Sequence, residues 1–263
     1  MEFYTLASGS SGNAALVRQQ NTALLIDAGI SARRIVQSLA EAGLSLDMLC
    51  GILITHEHID HIRGLQTLCK KCAVPIYASR GTAQSLAFAG QALRIFDAGE
   101  RFTLGAFDVT AFPSSHDAAD PVGFRLDCED GSLGFLTDTG FVTNDAYDAL
   151  LGVDTLLLEA NHDVDMLQSG PYPYHLKKRI SGRHGHLSNA QAAAFAVDSV
   201  RRGTRDILLA HLSAENNTPA AAEYAVARAL QQRGCSVRLC TAPRDTISEV
   251  HLCRRSPSYA SES

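Results

Sequence analysis

No stretch of this chain is apolar over enough residues to cross a membrane, and Met1-Glu2-Phe3-Tyr4-Thr5-Leu6 lacks the basic start and apolar run of a secretory signal. A cytoplasmic protein without a membrane partner is therefore the expectation. A basic excess is also missing, since 23 Lys and Arg stand against 28 Asp and Glu for a formal net charge of −5. That removes the global footprint of many nucleic-acid binders and leaves the role to a local basic patch. The 7 cysteines are odd in number and scattered, so no disulfide framework is implied and they read as reduced, small apolar residues. Cys69-Lys70-Lys71-Cys72 has no second cysteine pair to complete a structural zinc site, and it reads as two ordinary thiols. Internal linkers, low-complexity segments and short repeats are absent too. Residues 1–253 thus read as a single domain, with 254–263 as an unstructured tail.

What is present is a globular balance, 46% hydrophobic and 19% charged, in a chain of 263 residues that can bury a substantial core. Short apolar runs read as strands at Phe3 to Ala7, Thr22 to Ile26, Gly51 to Ile54, Val74 to Ala78, Ala106 to Phe112, Thr155 to Leu158, Ile207 to Ala210 and Val237 to Cys240. Val122 to Leu126 and Ser132 to Leu136 read as a hairpin across Cys128-Glu129-Asp130-Gly131. Helical spacing predicts helices over Ser31 to Ala42, Gly64 to Cys72, Thr82 to Ala89, Asn189 to Val200 and Ala220 to Arg233. Strands and helices in mixed order, with polar residues at the strand ends, point to an α/β fold. The expected form is a four-layer αββα sandwich, two mixed sheets face to face and flanked by helices.

The chemistry concentrates after Gly51 to Ile54, in Thr55-His56-Glu57-His58-Ile59-Asp60-His61. One residue separates His56 from His58, so an extended backbone sends both imidazoles to the same side, as a chelating pair requires. Asp60 and His61 add two more ligand-type side chains. Four such groups without a metal would set competing polar atoms against one another, so the spacing predicts a metal site.

His56-Glu57-His58-Ile59-Asp60-His61 resembles the HxHxDH signature of the metallo-β-lactamase superfamily, and the rest of the chain follows that pattern in order: Asp27 after an early strand, His116 in Ser114-Ser115-His116-Asp117, Asp138 in Thr137-Asp138-Thr139-Gly140, and His211 in Leu209-Ala210-His211-Leu212-Ser213. The resemblance implies two divalent metal ions, zinc or manganese with iron also compatible. His56, His58 and His116 would hold one, Asp60, His61 and His211 the other, with Asp138 between them. It implies a supporting role for Asp27 and hydrolysis by a hydroxide trapped between the metals, with Asp60 and Asp138 as catalytic residues.

Further blocks narrow the resemblance. Leu6 to Asn13, Asn161-His162-Asp163, Gly170-Pro171-Tyr172-Pro173, Gly185-His186-Leu187-Ser188-Asn189 and His211 to Asn217 are similar to the YycJ (WalJ)-type subfamily, described as exonucleases that act on DNA from the 5′ end. The resemblance makes His186 the candidate proton donor to the leaving oxygen. Tyr172 to Arg183 concentrates basic and aromatic residues in an acidic protein, so Lys177, Lys178, Arg179 and Arg183, with His162, are candidate nucleic-acid contacts, DNA before RNA. Ser10, Ser11 and Asn13 lie in a loop that either cradles a phosphate with backbone N–H groups or is a tight turn needing glycine. The open alternatives are hydrolysis of a small cyclic phosphodiester or thioester and a non-catalytic metal-binding regulatory module.

Overall fold

The computed structural model describes residues 1–255. Two seven-stranded sheets face one another. The first is built from β1 (Glu2–Ala7), β2 (Ala14–Gln19), β3 (Thr22–Ile26), β4 (Leu49–Leu53), β5 (Ile76–Ser79) and β6 (Leu93–Phe96), with the late strand β14 (His251–Leu252) added beside β1. The second runs in order from β7 (Arg101–Leu104) and β8 (Phe107–Pro113) through β9 (Val122–Asp127), β10 (Ser132–Leu136), β11 (Thr155–Glu159) and β12 (Asp206–Ala210) to β13 (Arg238–Thr241). Each sheet is antiparallel on one side and parallel on the other: β3 to β6 and β10 to β13 are parallel runs.

The inner faces supply one core, with Phe3, Leu24, Ile26 and Leu53 meeting Phe107, Phe124, Leu133 and Leu157. Each outer face carries its own helical layer. Ile35 and Leu39 of the helix Ala32–Glu41 close over the first sheet, and Phe195 of Asn189–Arg201 and Val226 of Pro219–Gln232 close over the second. The αββα sandwich expected from the sequence is thus the observed architecture. Strands β10 to β12 are buried on both sides, which is why they read as unbroken apolar runs.

Several elements were not legible beforehand. β2 hides behind the Gly/Ser loop and pairs with β3 through the two-residue turn Gln20-Asn21, in which Gln20 takes a left-handed φ of 53°. The helix expected over Gly64 to Cys72 is the short piece Leu65–Cys69, preceded by a separate turn Ile59–Ile62, and the one expected over Thr82 to Ala89 is a turn of α-helix, Arg80–Ala83, continued by a kinked 3-10 stretch. Of the expected tail, Arg254 and Arg255 are described, the Arg255 backbone N–H donating to the Asp130 carbonyl at 2.7 Å, and 256–263 lie outside the described residues. No helix among the described residues is long and apolar enough to cross a membrane.

Candidate metal centre

The parallel strands all deliver polar residues at the same edge. Asp27 follows β3, His56 and His58 follow β4, Asp138 follows β10 and His211 follows β12, while His116 follows the antiparallel β8. Asp27, Asp138 and His211 adopt left-handed backbone, at φ 60°, 54° and 56°. Each such residue costs on the order of 1 kcal/mol, and Asp and His are among the side chains that tolerate it. Strain placed at three strand ends around one centre marks where the fold gives up stability to aim side chains.

His58 is the residue before the helical turn Ile59–Ile62, so the chain changes from extended to helical between the two halves of the motif. The His56 and His58 rings come within 4.6 Å of each other, and each is 5.1 Å from the His116 ring. Asp60 and His61, on the turn, group with His211, so the structure forms His56/His58/His116 and Asp60/His61/His211, and His61 also groups with His56 and Asp138, its ring 4.1 Å from that of His56. Asp138 lies between the first two groups, with Oδ2 3.3 Å from His61 Nε2 and Oδ1 3.8 Å from His116 Nε2. The turn is held from below: the Asp60 carbonyl accepts from the Asn13 N–H at 2.7 Å, and Gly29 packs so closely that a Cβ there would fall on that same carbonyl oxygen.

For four of the five histidines, Nδ1 has a fixed partner. His61 Nδ1 donates to Asp27 Oδ2 at 2.7 Å, His116 Nδ1 to the Gly185 carbonyl at 3.1 Å, His211 Nδ1 to Glu159 Oε1 at 2.9 Å, and His56 Nδ1 lies 3.0 Å from Thr55 Oγ1, which itself donates to Asp27. With Nδ1 bonded outward, Nε2 is presented inward as a lone pair, the arrangement by which proteins orient imidazole ligands.

The inner atoms fit a metal. His56 Nε2, His211 Nε2 and Asp138 Oδ2 are buried and have no hydrogen-bond partner among the described residues, a cost that a cation would remove. His61 Nε2 and Asp138 Oδ2 are two acceptors at 3.3 Å once Nδ1 carries the ring proton. A metal cation between them would satisfy both. Burial opposes charge on His61, but the Asp27 and Asp138 carboxylates overcome it and hold the pKa well above the usual histidine value. Burial and the neighbouring His61 charge push His56 well below it. For Asp138, burial is outweighed by His211 and His61, which hold the carboxyl well below the usual range.

Above the cluster is a cavity of about 280 Å³ lined by His58, Asp60, His116, Asp138, His186 and His211, with Ser10, Asn161, Tyr172, Arg179 and Ser213 around them. His186, read from the sequence as a proton donor, therefore faces the same space as the cluster. Of the expected substrate contacts, Ser10 and Arg179 line this cavity, and Arg179 Nε is paired with Asp117 Oδ2 at 2.6 Å at its rim.

The others are placed differently. Asn13 is buried beneath the site, its amide N 3.1 Å from His61 Nε2 and its amide oxygen accepting from the Gly9 N–H. With the Gly12 and Asn13 N–H groups also bonded within the protein, the Gly/Ser loop is mainly a tight turn. Ser11 faces solvent and accepts from Arg63 through its carbonyl. Lys178 is exposed, Lys177 Nζ donates to the Gln168 carbonyl at 2.6 Å, and the Arg183 guanidinium stacks 4.5 Å over Phe141. His162 is buried and does not line the cavity, because its segment turns inward to bridge with Ser188. Cys69 and Cys72 are both half-buried free thiols and belong to no ligand group among the described residues.

One residue, which opens the block Glu159-Ala160-Asn161-His162-Asp163, has a role that the sequence reading did not assign. Glu159, fully buried at the end of β11, accepts from Nδ1 of both His186 (2.8 Å) and His211 (2.9 Å) through Oε1, and from the N–H groups of Thr139 and Leu187 through Oε2. Burial disfavours its charge, but His186 and His211 outweigh that and bring its pKa down to about 2. The signal was a carboxylate ending the apolar run Thr155-Leu156-Leu157-Leu158, which needs a partner to be tolerated there.

The family described as "Beta-lactamase superfamily domain" matches residues 22–212. Exodeoxyribonuclease YycJ of Bacillus anthracis is 36% identical over 242 residues, which cover 90% of this chain and 92% of that relative. The chain belongs to the metallo-β-lactamase superfamily. Within it, the chain falls in the YycJ/WalJ group, since Exodeoxyribonuclease WalJ of Streptococcus pneumoniae is 38% identical over 243 residues, 90% of each chain. Among solved structures, the metallo-β-lactamase-fold protein YhfI of Bacillus subtilis superposes with a TM-score of 0.70 at 16% identity, over 94% of this chain and 98% of that one. Zn²⁺-bound PqqB of Methylobacterium extorquens gives 0.70 at 18%, over 95% and 100%. At those identities the structures speak for the fold alone. Membership of the superfamily, with its His/Asp clusters intact, makes this chain a metal-dependent hydrolase.

Proposed function

We propose that this superfamily member is a dinuclear phosphodiesterase that removes nucleotides from DNA ends, in the manner of a 5′ exonuclease. The observation that carries the reading is His186, fixed by Glu159 at 2.8 Å and facing the cavity over both ligand groups. The relatives named exodeoxyribonucleases, similar over 90% of the chain, support DNA as the substrate.

His56, His58 and His116 would hold one ion and Asp60, His61 and His211 the other, with Asp138 shared. Such ions supply Lewis acidity at a phosphoryl oxygen and a water of lowered pKa. The remaining roles belong to the chain. Asp27, Thr55, Glu159 and the Gly185 carbonyl keep the imidazoles aimed inward. Glu159 accepts from His186 Nδ1 and so holds the ring with Nε2 free to hand a proton to the departing alkoxide, a contribution typically worth ~10²–10⁴ in rate. Arg179 and Ser10 at the rim meet the terminal phosphate, and Tyr172 offers a ring on which a base stacks.

Metal-loaded protein incubated with linear and with covalently closed circular DNA tests this reading. Chelator-sensitive degradation of the linear form alone is expected. Turnover of a small cyclic phosphodiester with neither DNA degraded would replace it with the small-substrate reading.

A further inference from the structure

At the opposite end of the same strands lies a second group of ligand-type side chains. Asp206 opens β12, whereas His211 follows its end, so the two sites are separated by roughly 16 Å at the usual strand rise of about 3.3 Å per residue. Asp206 and Cys240 come from adjacent strands of the second sheet, and His251 comes from β14, which pairs with Phe3 in the first. One donor atom from each lies within 4.8 Å of the others. Asp206 Oδ2 accepts from His251 Nδ1 at 2.7 Å, which leaves His251 Nε2 as a lone pair 3.8 Å from Cys240 Sγ. Asp206 is 7% exposed, and its Oδ1 is buried without a hydrogen-bond partner among the described residues. The arrangement repeats the carboxylate-held imidazole of the catalytic cluster, with a thiol added.

We infer that Asp206, Cys240 and His251 form a second metal site that takes a thiophilic divalent cation such as Zn²⁺. Sulfur, nitrogen and oxygen donors from three chain segments match a three-ligand zinc site whose fourth position is open to solvent. Cys240 is half-buried, so that position is reachable from outside. Arg238, with Nη1 3.6 Å from Asp206 Oδ2, balances the two anionic ligands. Binding would clip the edge strand β14 of one sheet to β13 of the other. Burial, then the nearby Asp206 charge, pushes the free Cys240 thiol up to about 11. Metal binding therefore releases the thiol proton to solvent as the sulfur–metal bond forms, and tightens as pH rises.

Sulfur makes the site distinguishable, because no cysteine belongs to the catalytic groups. Full-length protein titrated with Co²⁺ should develop a thiolate-to-cobalt charge-transfer band in the near ultraviolet. The band should disappear in Cys240→Ser and persist in Asp60→Ala. No band at saturation, or a band that survives Cys240→Ser, overturns the assignment. Unsubstituted protein gives an independent reading: with Zn²⁺ bound, alkylation of Cys240 mapped by mass spectrometry should slow by about tenfold or more while half-buried Cys235 is unaffected. Equal labelling of Cys240 with and without Zn²⁺ also contradicts it.

Discussion

Glu159 Oε1 accepts from His186 Nδ1 at 2.8 Å and from His211 Nδ1 at 2.9 Å, so one buried oxygen orients both an expected metal ligand and the expected proton donor. Glu159→Gln keeps the shape but removes the charge that holds both rings. Metal affinity should fall by roughly 10–100-fold, and kcat at saturating metal should fall by about 10²-fold. Metal titration and steady-state kinetics on the same preparation separate the two effects. Loss of only one of them would show that the shared oxygen does not couple the sites.

His186→Ala should leave metal content unchanged and slow cleavage of an alkyl phosphodiester by about 10²–10⁴-fold. A substrate with a nitrophenolate leaving group needs no proton donor, so its hydrolysis should lose much less. An equal loss on both substrates would place His186 in binding rather than in proton transfer.

How far these residues were legible in the sequence depends on what each one does. His56, His58, Asp60 and His61 are clustered within six positions, and His116, Asp138 and His211 stand at the ends of readable strands, so local spacing and order were enough. The role of Glu159 was not readable, because its partners lie 27 and 52 positions away, His186 in a loop and His211 at the end of the parallel neighbour β12, and only the fold brings them together. The basic Lys177 to Arg183 segment was legible as charge but not as geometry. Its charges were plain, but which of them faces the cavity depends on the turn of the helix Tyr174–Ile180, which selects Arg179. β2 and β14 were missed for a related reason: one lies behind a glycine turn and ends in Arg18-Gln19, and the other is two residues long and defined only by its pairing with β1.

Asp27 anchors the floor of the site, accepting from His61 Nδ1 at 2.7 Å and from the Thr55 N–H at 2.9 Å while wholly buried. Asp27→Ala strands these donors, and the protein should lose ~1–3 kcal/mol of stability together with tenfold or more of its metal affinity. Denaturant titration of the metal-free protein checks the first. Unchanged stability would mean that the Asp27 bonds are readily replaced by solvent.

His162 carries a pH dependence separate from the metals. Burial brings its pKa down to about 4, so between about pH 6.5 and 4 the unfolded chain binds a proton that the folded chain refuses. Its contribution is therefore fully present above the unfolded histidine pKa, and stability falls by up to ~1.4 kcal/mol per pH unit as pH drops through that window. His162→Gln should flatten this part of the stability profile measured by chemical denaturation. An unaltered slope would assign the acid sensitivity to other groups.

The account as a whole turns on metal-dependent hydrolysis at DNA ends. Mononucleotide release from DNA labelled at the 5′ or the 3′ terminus, followed with the metal-loaded protein and with Asp60→Ala, measures it directly. Early release of the 5′ label, abolished by chelation and by Asp60→Ala, is the predicted result. Release that persists in Asp60→Ala, or intact DNA at full metal occupancy, would contradict it.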